Sequence, residues 1–165
     1  MQPEPSPPGS SLGGSAPPKA RANLVAAMIA GGLAVLTACM LIWFVLYNVV
    51  FAMAATGGGL APVVVVNLIA GVLAIGALVV TAAFTFARRI PGAWTLCGVS
   101  AFYVVAMLLG APLVFGTPVV DQFRWIFSFE KSNGVAIALA VLFCALTAIA
   151  AAVAASVKSY GRVSR

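Results

Sequence analysis

The chain has 165 residues, of which 63% are hydrophobic and only 7% are charged, and its formal net charge is +6. Soluble domains carry about 25% charged residues, so this chain cannot cover a globular surface in water and is predicted to be an integral membrane protein. Its nine basic residues flank apolar runs and form no single basic stripe. We therefore expect no nucleic-acid binding.

Residues 1–22 are rich in proline, glycine and serine and contain almost no large apolar side chain. Such a segment buries too little surface to offset the entropy of ordering, so it is predicted to be a disordered tail. It lacks the charged start of a secretory signal, and the apolar run that follows is too long for one.

Four apolar runs follow this tail, and a membrane-crossing helix needs about 20 such residues. No charged residue occurs from Ala22 to Ala87, and this stretch is predicted to hold two crossings separated by the glycine-rich turn at 54–62. The predicted spans are residues 23–53, 63–87, 93–115 and 135–157. The first would be roughly 45 Å long against an apolar core of about 30 Å, so we expect it to tilt or protrude. The sequence thus predicts an all-α bundle of four transmembrane helices.

Lysine and arginine are distributed unequally between the two sides of this predicted bundle. Arg124 and Lys131 lie in the loop 116–134, whereas the other seven of the nine flank the opposite ends of the spans. Those seven are Lys19, Arg21, Arg88, Arg89, Lys158, Arg162 and Arg165. Because cytoplasmic loops collect basic residues, we expect both termini in the cytoplasm, including a basic tail at 158–165. The composition, rich in alanine, valine and glycine, further suggests a bacterial plasma membrane.

The outward loop, residues 116–134, interleaves charged and aromatic side chains and is the candidate contact surface. Its candidate residues are Asp121, Phe123, Arg124, Trp125, Phe127, Phe129, Glu130 and Lys131. The aromatic residues at 123, 125, 127 and 129 alternate along the chain, which favours an extended segment at the level of the lipid headgroups. A short interfacial helix is the alternative. We interpret the loop first as the boundary with water and second as a docking surface.

Catalysis and proton transport lack the residues that they would need. The chain has no histidine, and its predicted spans contain no charged residue, whereas ion and proton pathways use charges inside the membrane. Cys39, Cys97 and Cys144 form no CxxC pair and are predicted to pack as small apolar side chains. Glu130 near Arg124 would offer a general base, but charges in a short outward loop are more often solvated. We predict no enzymatic activity and no cofactor or metal site.

Two asparagines, Asn48 and Asn67, lie inside the first two predicted spans, each several residues from the outward end. A buried amide needs a partner, and an interhelical hydrogen bond in a membrane is worth roughly 0.6–2 kcal/mol. We predict a structural contact between the two amides, and the alternative is a polar lining of an outward-facing cavity. Small residues four apart, such as Ala27 with Gly31, predict close helix packing.

Together these features favour an accessory or assembly subunit of a membrane complex. The flexible tail, the alanine-rich fourth span and the outward loop offer binding surfaces. The expected partners are the lipid bilayer and either another membrane protein or further copies of the chain. The alternative function is a subunit of an oligomeric transporter or channel, whose pathway forms only on assembly.

Overall fold

A computed structural model of the chain describes residues 20–56, 62–129 and 132–160. Its elements, in chain order, are β1 (Ala20–Ala22), α1 (Leu24–Thr56), α2 (Pro62–Phe86), α3 (Ile90–Phe115), α4 (Val119–Ile126), α5 (Ser132–Ser156) and β2 (Lys158–Tyr160). Residues 1–19, 57–61 and 161–165, and also Glu130 with Lys131, lie outside the described residues.

Four of the helices, α1, α2, α3 and α5, are long and apolar enough to cross a bilayer. The prediction of an all-α chain with four long apolar helices is therefore confirmed. Each long helix packs against two others: α1 and α3 both contact α2 and α5. The helices thus form a closed ring in which neighbours in sequence are neighbours in space. With 33 residues, α1 is about 50 Å long and exceeds the apolar thickness of a bilayer.

Packing of α1 on α5, the most extensive contact between two helices of the ring, depends on small side chains. Both helices carry a row of buried alanines, mostly three or four residues apart, which keeps them on one face. These are Ala27, Ala30, Ala34 and Ala38 on α1, and Ala136, Ala140, Ala151 and Ala154 on α5. Small residues let the backbones approach closely and gain van der Waals contact, which is the main source of packing energy between helices in lipid. The buried alanines of α5 therefore pack against other helices of the same bundle.

Large apolar side chains of α5 lie on its opposite face. Leu142, Leu146, Ile149 and Val153 are each about half exposed and recur at intervals of three or four residues. The outer faces of α2 and α3 are apolar too, as Phe102 on α3 shows with 74% of its surface exposed. A surface of this extent is not stable in water, and it suits contact with lipid tails.

The chain enters and leaves the bundle at the same end. β1 and β2 form an antiparallel ladder in which Ala20 pairs with Tyr160 and Ala22 pairs with Lys158. The N–H of Asn23 donates to the carbonyl of Ala154 at 3.1 Å, which fixes the start of α1 against the end of α5. Residues 20–22 and 158–160, which the sequence assigned to the tails, are paired strands in the structure.

The turn from α2 to α3 lies at this same end and is joined to the start of α1 by Arg88. The φ angle of Arg88 is 57°, in the left-handed region that costs a non-glycine residue roughly 1–2 kcal/mol. In this conformation its carbonyl accepts the N–H of Ala22 at 3.2 Å. Its Nε and Nη2 atoms donate to the Ala22 carbonyl at 3.2 and 3.1 Å. These bonds, across 66 positions of sequence, offset the local strain. We call this end, with Arg21, Arg88 and Arg89, the basic end.

At the opposite end, which we call the loop end, α3 stops at Phe115 and α4 begins four residues later, at Val119. Gly116 caps α3 in the left-handed conformation, with φ 66°, and its N–H donates to the carbonyl of Pro112 at 3.0 Å. The carbonyl of Pro118 then accepts the N–H groups of Asp121 and Gln122, which starts α4. The favoured prediction of an extended segment is therefore wrong for residues 119–126, and the helical alternative is correct. A helix satisfies its backbone polar groups locally, whereas an unpaired strand beside lipid would not.

Candidate functional site

The candidate site is the surface of α4, and two inward-facing side chains attach it to the bundle. Ile126 is completely buried and belongs to the same apolar cluster as residues of α1, α3 and α5. Gln122, one turn earlier, donates from Nε2 to the carbonyl of Met107 on α3 at 2.9 Å. Their spacing of four residues puts both on one face of α4. One apolar and one polar contact therefore hold this short helix across the end of the ring.

Pro112 of α3 lies close to the carbonyl that accepts the Gln122 amide. Proline has no N–H and its ring disturbs the carbonyl four residues earlier, which is that of Leu108 in the last turns of α3. The neighbouring carbonyl of Met107 accepts the Gln122 amide. The proline thus marks the part of α3 where α4 supplies a hydrogen-bond donor.

The predicted contact residues divide between the two faces of this segment. Asp121, Phe123, Arg124, Trp125 and Phe129 are exposed, whereas Phe127 is half-buried against the apolar cluster. The rings of Phe123 and Phe127 stack with centroids 6.2 Å apart. Phe129 has a φ angle of 54°, so the chain turns sharply just after α4. Glu130 and Lys131 were also predicted here, and they lie outside the described residues.

Gln122 and Ile126 were missed because the sequence pattern of this loop fits two periods. Alternation of the aromatic residues favoured an extended segment, which would have put positions 122 and 126 on one face without singling them out. The helical period places Ile126 and Phe127 together, and this signal identifies the inward face once a helix is assumed. The exposed face, which we call the α4 surface, consists of Val120, Asp121, Phe123, Arg124 and Trp125.

Asn48 and Asn67 lie at matching levels of α1 and α2. The two helices meet where Val45 packs on Gly71, because a Cβ atom on Gly71 would clash with Val45 Cγ2. Each asparagine is about one turn from that contact, toward the loop end. The amide nitrogen of Asn48 donates within its own helix, to the carbonyl of Phe44 at 2.8 Å. The contact between the two amides stays a prediction.

Replacing both asparagines tests that contact directly. We expect Asn48→Leu and Asn67→Leu each to lower the free energy of unfolding in detergent, by roughly 0.6–2 kcal/mol if the amides pair. The double variant should then lose less than the sum of the two, because the second substitution removes no further bond. Strictly additive losses would contradict the pairing. Chemical denaturation followed by circular dichroism provides the measurement.

The interior of the bundle offers hydroxyl groups that are already bonded within their own helices. The buried polar side chains among the described residues are Thr37, Thr81, Thr85, Ser100 and Thr147. Each threonine donates to a carbonyl four positions earlier in its helix, at 2.6–2.9 Å. The hydroxyl of Ser100 is buried without a hydrogen-bond partner in the part of the chain described here. These groups include no acid or base, so they provide neither a proton relay nor a nucleophile–base pair.

The three cysteines are separate free thiols in three different helices. Cys39 of α1 is exposed, Cys97 of α3 is half-buried, and Cys144 of α5 is buried. Cys144 belongs to the main apolar cluster, as a small packing residue would. Across the ranges 20–56, 62–129 and 132–160, no group of His, Cys, Asp and Glu side chains is arranged to hold a metal ion.

No family model, no curated protein and no solved structure matches the chain. The α4 surface is thus the candidate site on physical grounds: it is a fixed, exposed, aromatic and charged helix at the loop end of a bundle whose four long helices are apolar.

Proposed function

We propose that the chain is an accessory or assembly subunit of a membrane complex, and that a partner membrane protein binds its α4 surface. The observation that carries this proposal is the attachment of α4. Ile126 and Gln122 fix the helix to the bundle, while Phe123, Arg124 and Trp125 remain exposed.

Composition of the α4 surface supports binding to a protein. Aromatic residues and arginine are enriched in interfaces and supply most of the binding energy when they become buried. Trp125 is 49% exposed, and Arg124 and Asp121 beside it supply one charge of each sign. Because α4 is already ordered, a partner would not have to supply the free energy of folding this segment.

Charge distribution supports the proposed placement in a plasma membrane with both termini in the cytoplasm. Arg21, Arg88 and Arg89 lie at the basic end, where β1 and β2 also lie. Arg124 lies at the loop end, and Asp121 compensates its charge within the same helix. An orientation with the basic end inside satisfies the positive-inside rule and exposes α4 on the outer face.

The alanines of α5 face inward, so α4 is a better candidate than α5 for the surface that binds a partner. Small residues on the fourth span would offer a partner surface if they faced outward. Ala140, Ala151 and Ala154 are instead buried in the bundle, and Leu146 and Ile149 face outward. The outer face of α5 is therefore suited to lipid, and α4 is the polar surface with aromatic side chains.

Purification from native membranes in mild detergent tests this proposal. We expect a specific protein to be recovered with the wild-type chain and to be lost with the variant R124E/W125A, by about thirtyfold or more. Truncating a central interface tryptophan typically removes at least about 2 kcal/mol, and the charge reversal adds to it. Quantitative mass spectrometry of the purified material provides the measurement.

Phe102→Ala is the matched control, because Phe102 is an exposed aromatic residue on α3, away from α4. The control should retain the partner at the wild-type level. Recovery of a homo-oligomer without any other protein would contradict the proposal and favour the oligomeric transporter or channel. Equal recovery of the partner with R124E/W125A would contradict the assignment of the α4 surface.

A further inference from the structure

A second feature, independent of α4, is an open cavity at the basic end of the bundle. It has a volume of about 630 Å³, and Arg21, Arg88, Arg89, Ile90 and Pro91 are among its lining residues. The cavity lies between β1 and the turn that joins α2 to α3. Three of its lining residues are arginines. They come from two segments that are distant in sequence, β1 and the turn between α2 and α3.

The turn determines what each arginine does in this cavity. The left-handed conformation of Arg88 directs its guanidinium to the Ala22 carbonyl, with two hydrogen bonds of 3.2 and 3.1 Å. Arg88 thereby holds β1 beside the turn and forms the cavity. Arg21 and Arg89 are exposed on either side of it. Their guanidinium groups are the ones available for an added anion.

Electrostatic surroundings favour an anion at this position. Among the described residues, the single acid is Asp121, which lies on α4 at the other end of the bundle. The start of α3 also faces the cavity, and its N-cap residue, Arg89, makes no side-chain capping bond. Backbone N–H groups at a helix start carry partial positive charge and bind phosphate readily.

Aromatic side chains lie close in sequence to the residues that line the cavity. The Arg89 guanidinium lies 5.8 Å from the centre of the Phe84 ring. Phe84 is 47% exposed and Trp94 is 53% exposed, each within about one turn of the arginine turn. The candidate membrane spans end at Phe86 and begin again at Ile90. If the four candidate spans cross a bilayer, the cavity would lie at the level where headgroups meet acyl chains.

We infer that this cavity binds the phosphodiester of an anionic phospholipid, with Arg21 and Arg89 as the ligating side chains and Arg88 as the residue that positions them. A guanidinium fork suits phosphate oxygens, and basic pockets between membrane helices bind lipid headgroups. The acyl chains would then lie along Phe84 and Trp94. A free phosphate ion would satisfy the same arginines but would make no contact with these exposed aromatic side chains.

Titration of the full-length protein in non-ionic detergent with fluorescent phosphatidylglycerol tests the site. We expect the variant R21Q/R89Q to bind this lipid about thirtyfold more weakly, since each arginine near the membrane surface contributes about 1 kcal/mol. R21K/R89K keeps the charge and should recover part of the affinity. The control R162Q/R165Q removes the same number of charges from the segment after β2 and should bind as the wild type does.

Competition experiments identify the ligand. Unlabelled phosphatidylglycerol should displace the probe, whereas phosphatidylcholine with the same acyl chains and inorganic phosphate should not. Displacement by inorganic phosphate at equal efficiency would overturn the lipid assignment in favour of a free anion. Equal losses in R162Q/R165Q and R21Q/R89Q, or no loss in the latter, would overturn the site itself. Thermal unfolding of each variant, expected to match the wild type because Arg21 and Arg89 are exposed, checks that the fold is retained.

Discussion

Replacing Ile126 by alanine is expected to release α4 from the end of the bundle. Ile126 is completely buried. Truncating a buried isoleucine to alanine typically lowers the free energy of unfolding by about 2–5 kcal/mol. The remaining contacts would be one hydrogen bond from Gln122, worth about 1 kcal/mol, and the half-buried Phe127 just after the eight-residue helix. Amide hydrogen exchange across 119–126 should therefore become at least about thirtyfold faster.

Val120→Ala is the matched control for this experiment. Val120 lies on the same helix and is 70% exposed, so its truncation should change exchange little, within about 0.5 kcal/mol. Retained protection of α4 in the Ile126→Ala variant would mean that Ile126 is not its anchor. If partner recovery were lost with Ile126→Ala as well, this would agree with the α4 surface acting only when it is fixed to the bundle.

Gly92→Ala is expected to destabilise the protein, although alanine is the better helix former. A Cβ atom at this position would lie 2.6 Å from Phe84 Cβ, 2.9 Å from the Phe84 carbonyl carbon and 3.1 Å from its oxygen. Two of these are backbone atoms of α2 and cannot rotate away. Overpacking typically costs 1–3 kcal/mol, or about 2 kcal/mol here, which exceeds the gain of about 1 kcal/mol from helix propensity.

Gly98→Ala on the same helix is the matched control, because a Cβ atom there would meet nothing within 4 Å. Its stability should be unchanged or higher by up to about 1 kcal/mol. Denaturation in mixed micelles, followed by circular dichroism, compares the two variants. If Gly92→Ala proved as stable as Gly98→Ala, the turn from α2 to α3 would have to be looser than its geometry indicates.

The four long helices were predictable because their apolar runs leave few alternatives. A run of apolar residues without charge, such as Ala22 to Ala87, forms helices wherever its backbone groups must be satisfied away from water. The glycine-rich turn and the arginine pair then divide the runs. Small residues four apart also identified a real interface in the case of Ala27, Ala30 and Ala34, which are buried in the bundle.

The conformation of α4 was not predictable from its own residues. Its eight positions are too few to separate a helical period from an alternating one, and helices of this length are marginal alone. What selects the helix is burial of Ile126 and the bond from Gln122 to Met107. Both contacts depend on how α3 and α5 are arranged, which local sequence does not encode.

The hydrogen bonds of Arg88 were also not predictable from the sequence. Counting lysine and arginine treats every basic residue as a free charge beside the membrane, and that counting gave the predicted orientation. Arg88 instead donates two hydrogen bonds to Ala22. The acceptor is a backbone atom of an alanine, so no feature of the side chain at position 22 identifies the pair.

The ladder between β1 and β2 restricts how many times the chain can cross a bilayer. Ala20 and Tyr160 are paired, so in a bilayer both ends of the helical bundle would emerge on one side and the number of crossings would be even. If one span failed to insert, the two strands would be separated by the apolar core of about 30 Å, and three residue pairs could not form across it. Formation of the ladder therefore distinguishes a fully inserted chain from one that has left a single helix outside.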